Sequence, residues 1–105
     1  MNKEVRFAVC DDDEIVCEAI CSKIIKILTA CGISVSCDKY VSPVSLYNNM
    51  KSEGRSYDAL FLDIDMPKIN GVELAKALRK NENTSDIIFV SNREDKVFET
   101  FPVRP

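Results

Sequence analysis

Asp63 closes an apolar run, Ala59-Leu60-Phe61-Leu62, and is followed by Ile64-Asp65-Met66-Pro67. A second acidic cluster, Asp11-Asp12-Asp13-Glu14, closes an earlier run, Val5-Arg6-Phe7-Ala8-Val9-Cys10. A carboxylate at the end of a buried strand is costly unless something pairs with it. Two such clusters meeting at one edge of a sheet would form an oxygen-rich site for a hard cation, Mg2+ or alternatively Mn2+. Crowded carboxylates raise one another's pKa, and a divalent cation reverses that effect. A carboxylate can also attack a phosphoryl group and form an aspartyl-phosphate. These residue types therefore point to metal-assisted phosphoryl chemistry at a carboxylate.

The elements that must position them alternate in period. Val5 to Cys10 reads as a buried strand. Val16, Ile20, Ile24, Ile27, Leu28 and Cys31 then fall at helical spacing, with Asp12 or Asp13 as cap and Gly32 as stop. Ile33 to Tyr40 alternates as an edge strand does. Ser42-Pro43 starts a short second helix that ends near Gly54. Tyr57 to Leu62 is a central strand, apolar apart from Asp58. Asn70, with Glu73 three residues on, makes a capping-box start for a helix over Val72 to Lys80. Asp86 to Ser91 is another buried strand, and Arg93 to Phe101 reads as a short helix broken at Pro102. Strands alternating with helices imply an α/β fold with a parallel sheet covered on both faces.

In such a sheet, ligands bind beyond the carboxyl ends of the strands, where the strand order switches. With the first and third strands adjacent there, Asp11, Asp12 and Asp63 converge, and the fourth strand brings Ser91 to the same edge. A hydroxyl there can donate a hydrogen bond to the transferring group.

Composition narrows the reading. A chain of 105 residues, 46% hydrophobic and 30% charged, folds as one domain spanning 1–105 around a single core. A net charge of -3, with no basic arm, excludes direct nucleic-acid contact by this segment. No run spans a bilayer, and Met1 to Arg6 is no signal peptide, so the expected location is cytoplasmic with no membrane contact. The five cysteines, Cys10, Cys17, Cys21, Cys31 and Cys37, are odd in number and lack the spacing of a disulfide framework. The expectation is reduced thiols acting as small buried hydrophobes. Without His or a CxxC pair, zinc is disfavoured.

The motif set resembles the receiver domain of two-component response regulators, over essentially the whole chain. It comprises Asp11-Asp12 after the first strand, Asp63 in Leu-Asp-Ile-Asp-Met-Pro, Gly71 ahead of the third helix and Ser91 ending the fourth strand. The resemblance implies a flavodoxin-like, doubly wound parallel sheet of order 2-1-3-4. It implies that Asp63 is the phosphoacceptor, that Asp12 binds Mg2+ directly and that Asp11 assists through water. It also implies that Asp65 supplies a main-chain carbonyl to the metal, and that Ser91 is the switch hydroxyl. The donor would be a sensor histidine kinase. Cys10-Asp11-Asp12 and the segment Ile88 to Phe98 look like the branch whose receivers precede a LytTR-type DNA-binding domain, so the implied output is transcription through a domain outside this chain. One departure stands out. The family's fifth strand, which carries an invariant lysine, and its fifth helix would follow Val103-Arg104-Pro105, and no other lysine, Lys68 included, is clearly placed to substitute. The reading is a receiver truncated before that strand and helix. Its uncovered strand edge and helix face would favour a homodimer or a strand-exchanged oligomer.

Plainer readings stand beside these. Asp13 and Glu14 fit an ordinary acidic first turn. Asp65 fits a turn, Ser91 alone fits a helix cap, and Gly71 fits a backbone device at a helix start. Phe98 and Phe101 are core or surface-switch aromatics. The leading function is a signalling switch rather than an enzyme. The alternatives are a non-catalytic decoy receiver, and an aspartyl-nucleophile phosphatase, for which Asp63-Ile64-Asp65 has the right spacing but the chain offers no cap domain.

Overall fold

The computed structural model describes residues 4–66, 69–81 and 83–90, and the backbone of 98–100. Four strands and three helices alternate: β1 (Val5–Cys10), α1 (Glu14–Ala30), β2 (Val35–Tyr40), α2 (Pro43–Ser52), β3 (Ala59–Asp63), α3 (Gly71–Lys80) and β4 (Asp86–Val90). A short β5 (Phe98–Thr100) follows. The first four strands are parallel in the order β2-β1-β3-β4, as the sequence implies.

Local chemistry sets the boundaries. Of the two caps the sequence offers for α1, Asp13 is the one used, its Oδ1 accepting the Ile15 N–H at 2.9 Å. Gly32, at φ 77°, lets the chain leave the helix in the left-handed region. Ser42 caps α2, with Pro43 at its first position, where a missing N–H costs nothing. α3 opens on a complete capping box: Asn70 Oδ1 accepts the Glu73 N–H at 2.9 Å, and Glu73 Oε1 accepts the Asn70 N–H at 3.0 Å. Asn70→Ala should therefore cost about 1 kcal/mol, read as a lower urea midpoint with an unchanged m-value.

Alternation along the strands divides the core between the two faces of the sheet. One side gathers Ala8, Cys10, Tyr40, Leu46, Leu60, Leu62, Leu74, Leu78, Ile87 and Phe89 with α2 and α3. The other side holds Val9 against Cys17 and Cys21 of α1, with Phe61, Ile20 and Ile24 packed on them. Phe7 and Phe61 meet edge to face at 5.9 Å on neighbouring strands.

Two readings need correction. Phe98–Thr100, placed in a helix by its spacing, is a strand antiparallel to β4, with Phe98 opposite Val90 and Thr100 opposite Ile88. Pairing satisfies backbone groups that an edge strand otherwise leaves open, and Phe98 and Thr100 are of the aromatic and β-branched types that strands favour. The remainder of that expected helix, 93–97 and 101, lies outside the described residues. The second concerns the thiols: Cys21 on α1 and Cys37 on β2 form a disulfide, with Cα atoms 6.0 Å apart. They are 16 residues apart on different kinds of element, so only the packing of α1 onto β2 brings them together. Cys10, Cys17 and Cys31 are free, the first two buried and the third exposed.

Candidate functional site

β1 and β3 lie side by side, with Cys10 opposite Leu62. The residues that follow them, Asp11, and Asp63 at the end of β3, therefore leave the sheet together. The chain goes from β1 outward to β2, and later returns to the far side of β1 as β3, so this edge is the switch point of strand order. Carboxylate oxygens of Asp11, Asp12 and Asp63 all lie within 4.8 Å of one another. Asp11 and Asp63 are only 1% and 2% exposed, whereas Asp12 faces solvent.

Each buried carboxylate is aimed by a backbone amide two residues on. Asp11 Oδ1 accepts the Asp13 N–H at 2.9 Å, and Asp63 Oδ1 accepts the Asp65 N–H at 3.0 Å. These are Asx turns, which Asp forms readily at strand-to-loop junctions. The loops themselves are anchored to the sheet. Asp11 N–H donates to the Tyr40 carbonyl at 3.0 Å, and Ile64 N–H donates to the Val90 carbonyl at 3.1 Å.

Crowding and burial set the electrostatics. The Asp63 carboxyl is pushed up to about 6, first by loss of water and then by Asp11, Asp12 and Asp65, while the Asp65 N–H pulls the other way. Burial, with help from Cys17, Asp11, Asp63 and Asp12, pushes the neighbouring Cys10 thiol up to about 12, so it is no nucleophile at neutral pH. An all-oxygen donor set, with two buried acids and one open to water, fits a Mg2+ or Mn2+ ion that keeps part of its hydration shell. The upward pressure on Asp63 is the repulsion that such a cation would relieve.

The structure brings together Asp11, Asp12 and Asp63 as expected. The Asp65 carboxylate is not among the three clustered oxygens, and the Asp65 main-chain N–H donates to Asp63. Ser91 and Lys68 lie outside the described residues. Gly71 has a specific steric reason. A Cβ there would collide with the Asp63 carbonyl oxygen and lie 3.0 Å from its carbonyl carbon, so only glycine lets α3 start against the main chain of Asp63.

One residue escaped the sequence reading. The Cys17 Sγ lies 3.2 Å from the Asp11 carbonyl and 3.4 Å from the Tyr40 carbonyl, donating toward both, and ties the start of α1 to the acidic loop. Its sequence signal was only that of a small apolar residue on the inner face of a helix.

The comparisons agree with this geometry. The family model "Response regulator receiver domain" matches residues 7–101. "Stress response regulator protein 1" from Lodderomyces elongisporus is 41% identical over 46 residues, which is 42% of this chain and 13% of that protein. The chain thus spans only a small part of that curated relative. Among solved structures, a CheY-like response regulator receiver domain from Methylobacillus flagellatus superposes with a TM-score of 0.72 at 23% identity, over 90% of this chain and 75% of that one. The response regulator TrrA from Thermotoga maritima, solved in complex with Mg2+–BeF, gives 0.69 at 24%, over 87% of this chain and 72% of that one. At these identities the structural likeness speaks for the fold, while the family match covers nearly the whole chain and includes Asp11, Asp12 and Asp63. The chain belongs to the response regulator receiver domain family.

Proposed function

We propose that this domain is a phosphorylation-dependent signalling switch that accepts a phosphoryl group on Asp63 from a sensor histidine kinase in the cytoplasm, and that it is not itself a turnover enzyme. The observation that carries the reading is the convergence of three carboxylates within 4.8 Å at the switch point, with Asp63 buried at the end of a central strand. Asp11, Asp12 and Asp63 would hold Mg2+, or Mn2+, together with the main-chain carbonyl of Asp65. When bound, the ion would offset negative charge on the cluster and on the phosphoryl oxygens.

The chain's own groups do the rest. The Asp65 N–H fixes one oxygen of Asp63, which orients the carboxylate. A carboxylate oxygen of Asp63 forms the new bond to phosphorus as the bond from phosphorus to the donor's imidazole nitrogen breaks. Burial of Asp63 limits water near the resulting acyl phosphate. Ser91 would donate its hydroxyl to a phosphoryl oxygen. The output we assign is transcription, through a LytTR-type DNA-binding domain outside this chain, on the likeness of Cys10-Asp11-Asp12 and the segment 88–98 to that branch, while the net charge of -3 argues that any DNA contact belongs to that domain. Self-association as a homodimer fits the α1 side of the molecule, where Ile27 is 56% exposed, whereas the edge of β4, expected to be open to strand exchange, is paired with β5.

Beryllium fluoride mimics a phosphoryl group on a carboxylate, so Mg2+ and beryllium fluoride together should raise the melting temperature by several degrees. The two-component effect should vanish in Asp63→Asn. No shift with the pair in folded parent protein would count against a working phosphoacceptor and leave the decoy reading.

A further inference from the structure

The Cys21–Cys37 pair has no part in the phosphoryl chemistry. α1 lies along β2 through a short series of matched contacts: Cys17 reaches the Tyr40 carbonyl, Glu18 pairs with Lys39, and Cys21 meets Cys37. Cys21 is buried and Cys37 half-buried, and their Cα separation of 6.0 Å lies in the range that a disulfide spans without backbone movement. The same seam between α1 and β2 holds the acidic loop, because Cys17 of α1 donates to the Asp11 carbonyl and the Tyr40 carbonyl of β2 accepts the Asp11 N–H.

We propose that Cys21 and Cys37 form a reversible thiol–disulfide site that fastens α1 to β2 and thereby stiffens the mount of the Asp11–Asp12 loop. In a compartment whose thiols are kept reduced, such a pair cycles rather than serving as a permanent staple. The oxidant is a low-molecular-weight disulfide of the glutathione class. The Cys37 thiolate, the more accessible of the two, attacks one sulfur of that disulfide, giving a mixed disulfide and releasing one small thiolate. The Cys21 thiolate then attacks the Cys37 sulfur, forming the Cys21–Cys37 bond and releasing the second. Two protein thiols have lost two electrons and two protons, and one small disulfide has become two thiols. A dithiol reverses both steps.

The other cysteines cannot replace the pair. Cys10 belongs to the core on the opposite face of the sheet, and Cys17 is engaged with two carbonyls. Cys31 is exposed and gives the competing reaction, a stable mixed disulfide.

The test uses the Cys31→Ser chain, reduced and then exchanged against oxidised glutathione, with alkylation, intact mass and peptide mapping. The expected product has lost two hydrogen atoms, links the peptides containing Cys21 and Cys37, and returns to the dithiol with dithiothreitol. Closing a loop of this length should raise the folded-to-unfolded ratio on the order of 100-fold, read as a higher urea midpoint, and should slow amide exchange in the first half of α1. Cys37→Ser, altered at the half-buried end of the pair, should fold and show none of these changes. Folded protein that stops at a glutathione adduct, stays fully reduced, or links a different pair would overturn the proposal. So would a linked form with the same urea midpoint and exchange as the dithiol.

Discussion

In Mg2+-free solution at pH 7.5, Asp63→Asn should be more stable than the parent by about 1–3 kcal/mol. The parent carries a carboxylate that is 2% exposed and faces two others, and its carboxyl is held at about 6 rather than 3.8. The upper bound is the free energy of a shift of about two units, and water reaching the rim of the site lowers it. Because the folded-state value is raised, the folded protein binds more protons than the unfolded chain between pH 4 and 6. Parent stability must therefore fall as pH rises through that window. Asparagine has no proton to lose, so the variant should not follow, and its advantage should vanish near pH 4. Its amide oxygen can still accept the Asp65 N–H, which keeps the local turn intact. Mg2+ should then reverse the ranking. A cation at 100 times its Kd adds about 2.7 kcal/mol to the protein that binds it, and the variant has lost one of the three clustered carboxylates. Denaturation with urea across pH, with and without Mg2+, measures all of this.

Gly71→Ala should cost about 2–4 kcal/mol and impair the site. The added methyl meets backbone atoms of Asp63 and Ile64, which cannot rotate away as a side chain can. Relief requires α3 to back off or the end of β3 to shift, and either movement displaces the Asp63 carboxylate. Stability should be measured by urea denaturation and phosphorylation by intact mass. A variant with parent-like values in both would show that α3 adjusts freely. Gly32→Ala is the useful contrast, since its Cβ meets nothing within 4 Å and its cost comes from a φ of 77° alone, without effect on the site.

Much of this was legible in the chain because the signals were local and redundant. Apolar runs ending in acids located β1 and β3, and their carboxylates met where the topology rule put them. Asn70 and Glu73 announced α3 through a capping box that the structure completes in both directions. What sequence did not disclose depended on long-range packing. The choice of Asp13 over Asp12 as cap follows from where the chain leaves β1. The Cys21–Cys37 bond depends on how α1 lies across β2, and the bond from Cys17 to Asp11 on the same contact. The strand at Phe98–Thr100 was misread because its pairing with β4, not its own periodicity, decides its conformation. Gly71 was identified as a backbone device, but the atom it protects, the Asp63 carbonyl, is visible only in three dimensions.

The central claim is that Asp63 accepts a phosphoryl group with the help of a divalent cation held by its neighbours. The most direct measurement is intact mass after incubation with acetyl phosphate and Mg2+, beside a metal-free sample and Asp63→Asn. One phosphoryl adduct that forms only with the metal and only on the parent is the predicted result. Folded parent protein with no adduct, or an adduct of equal yield on the asparagine variant, would contradict it.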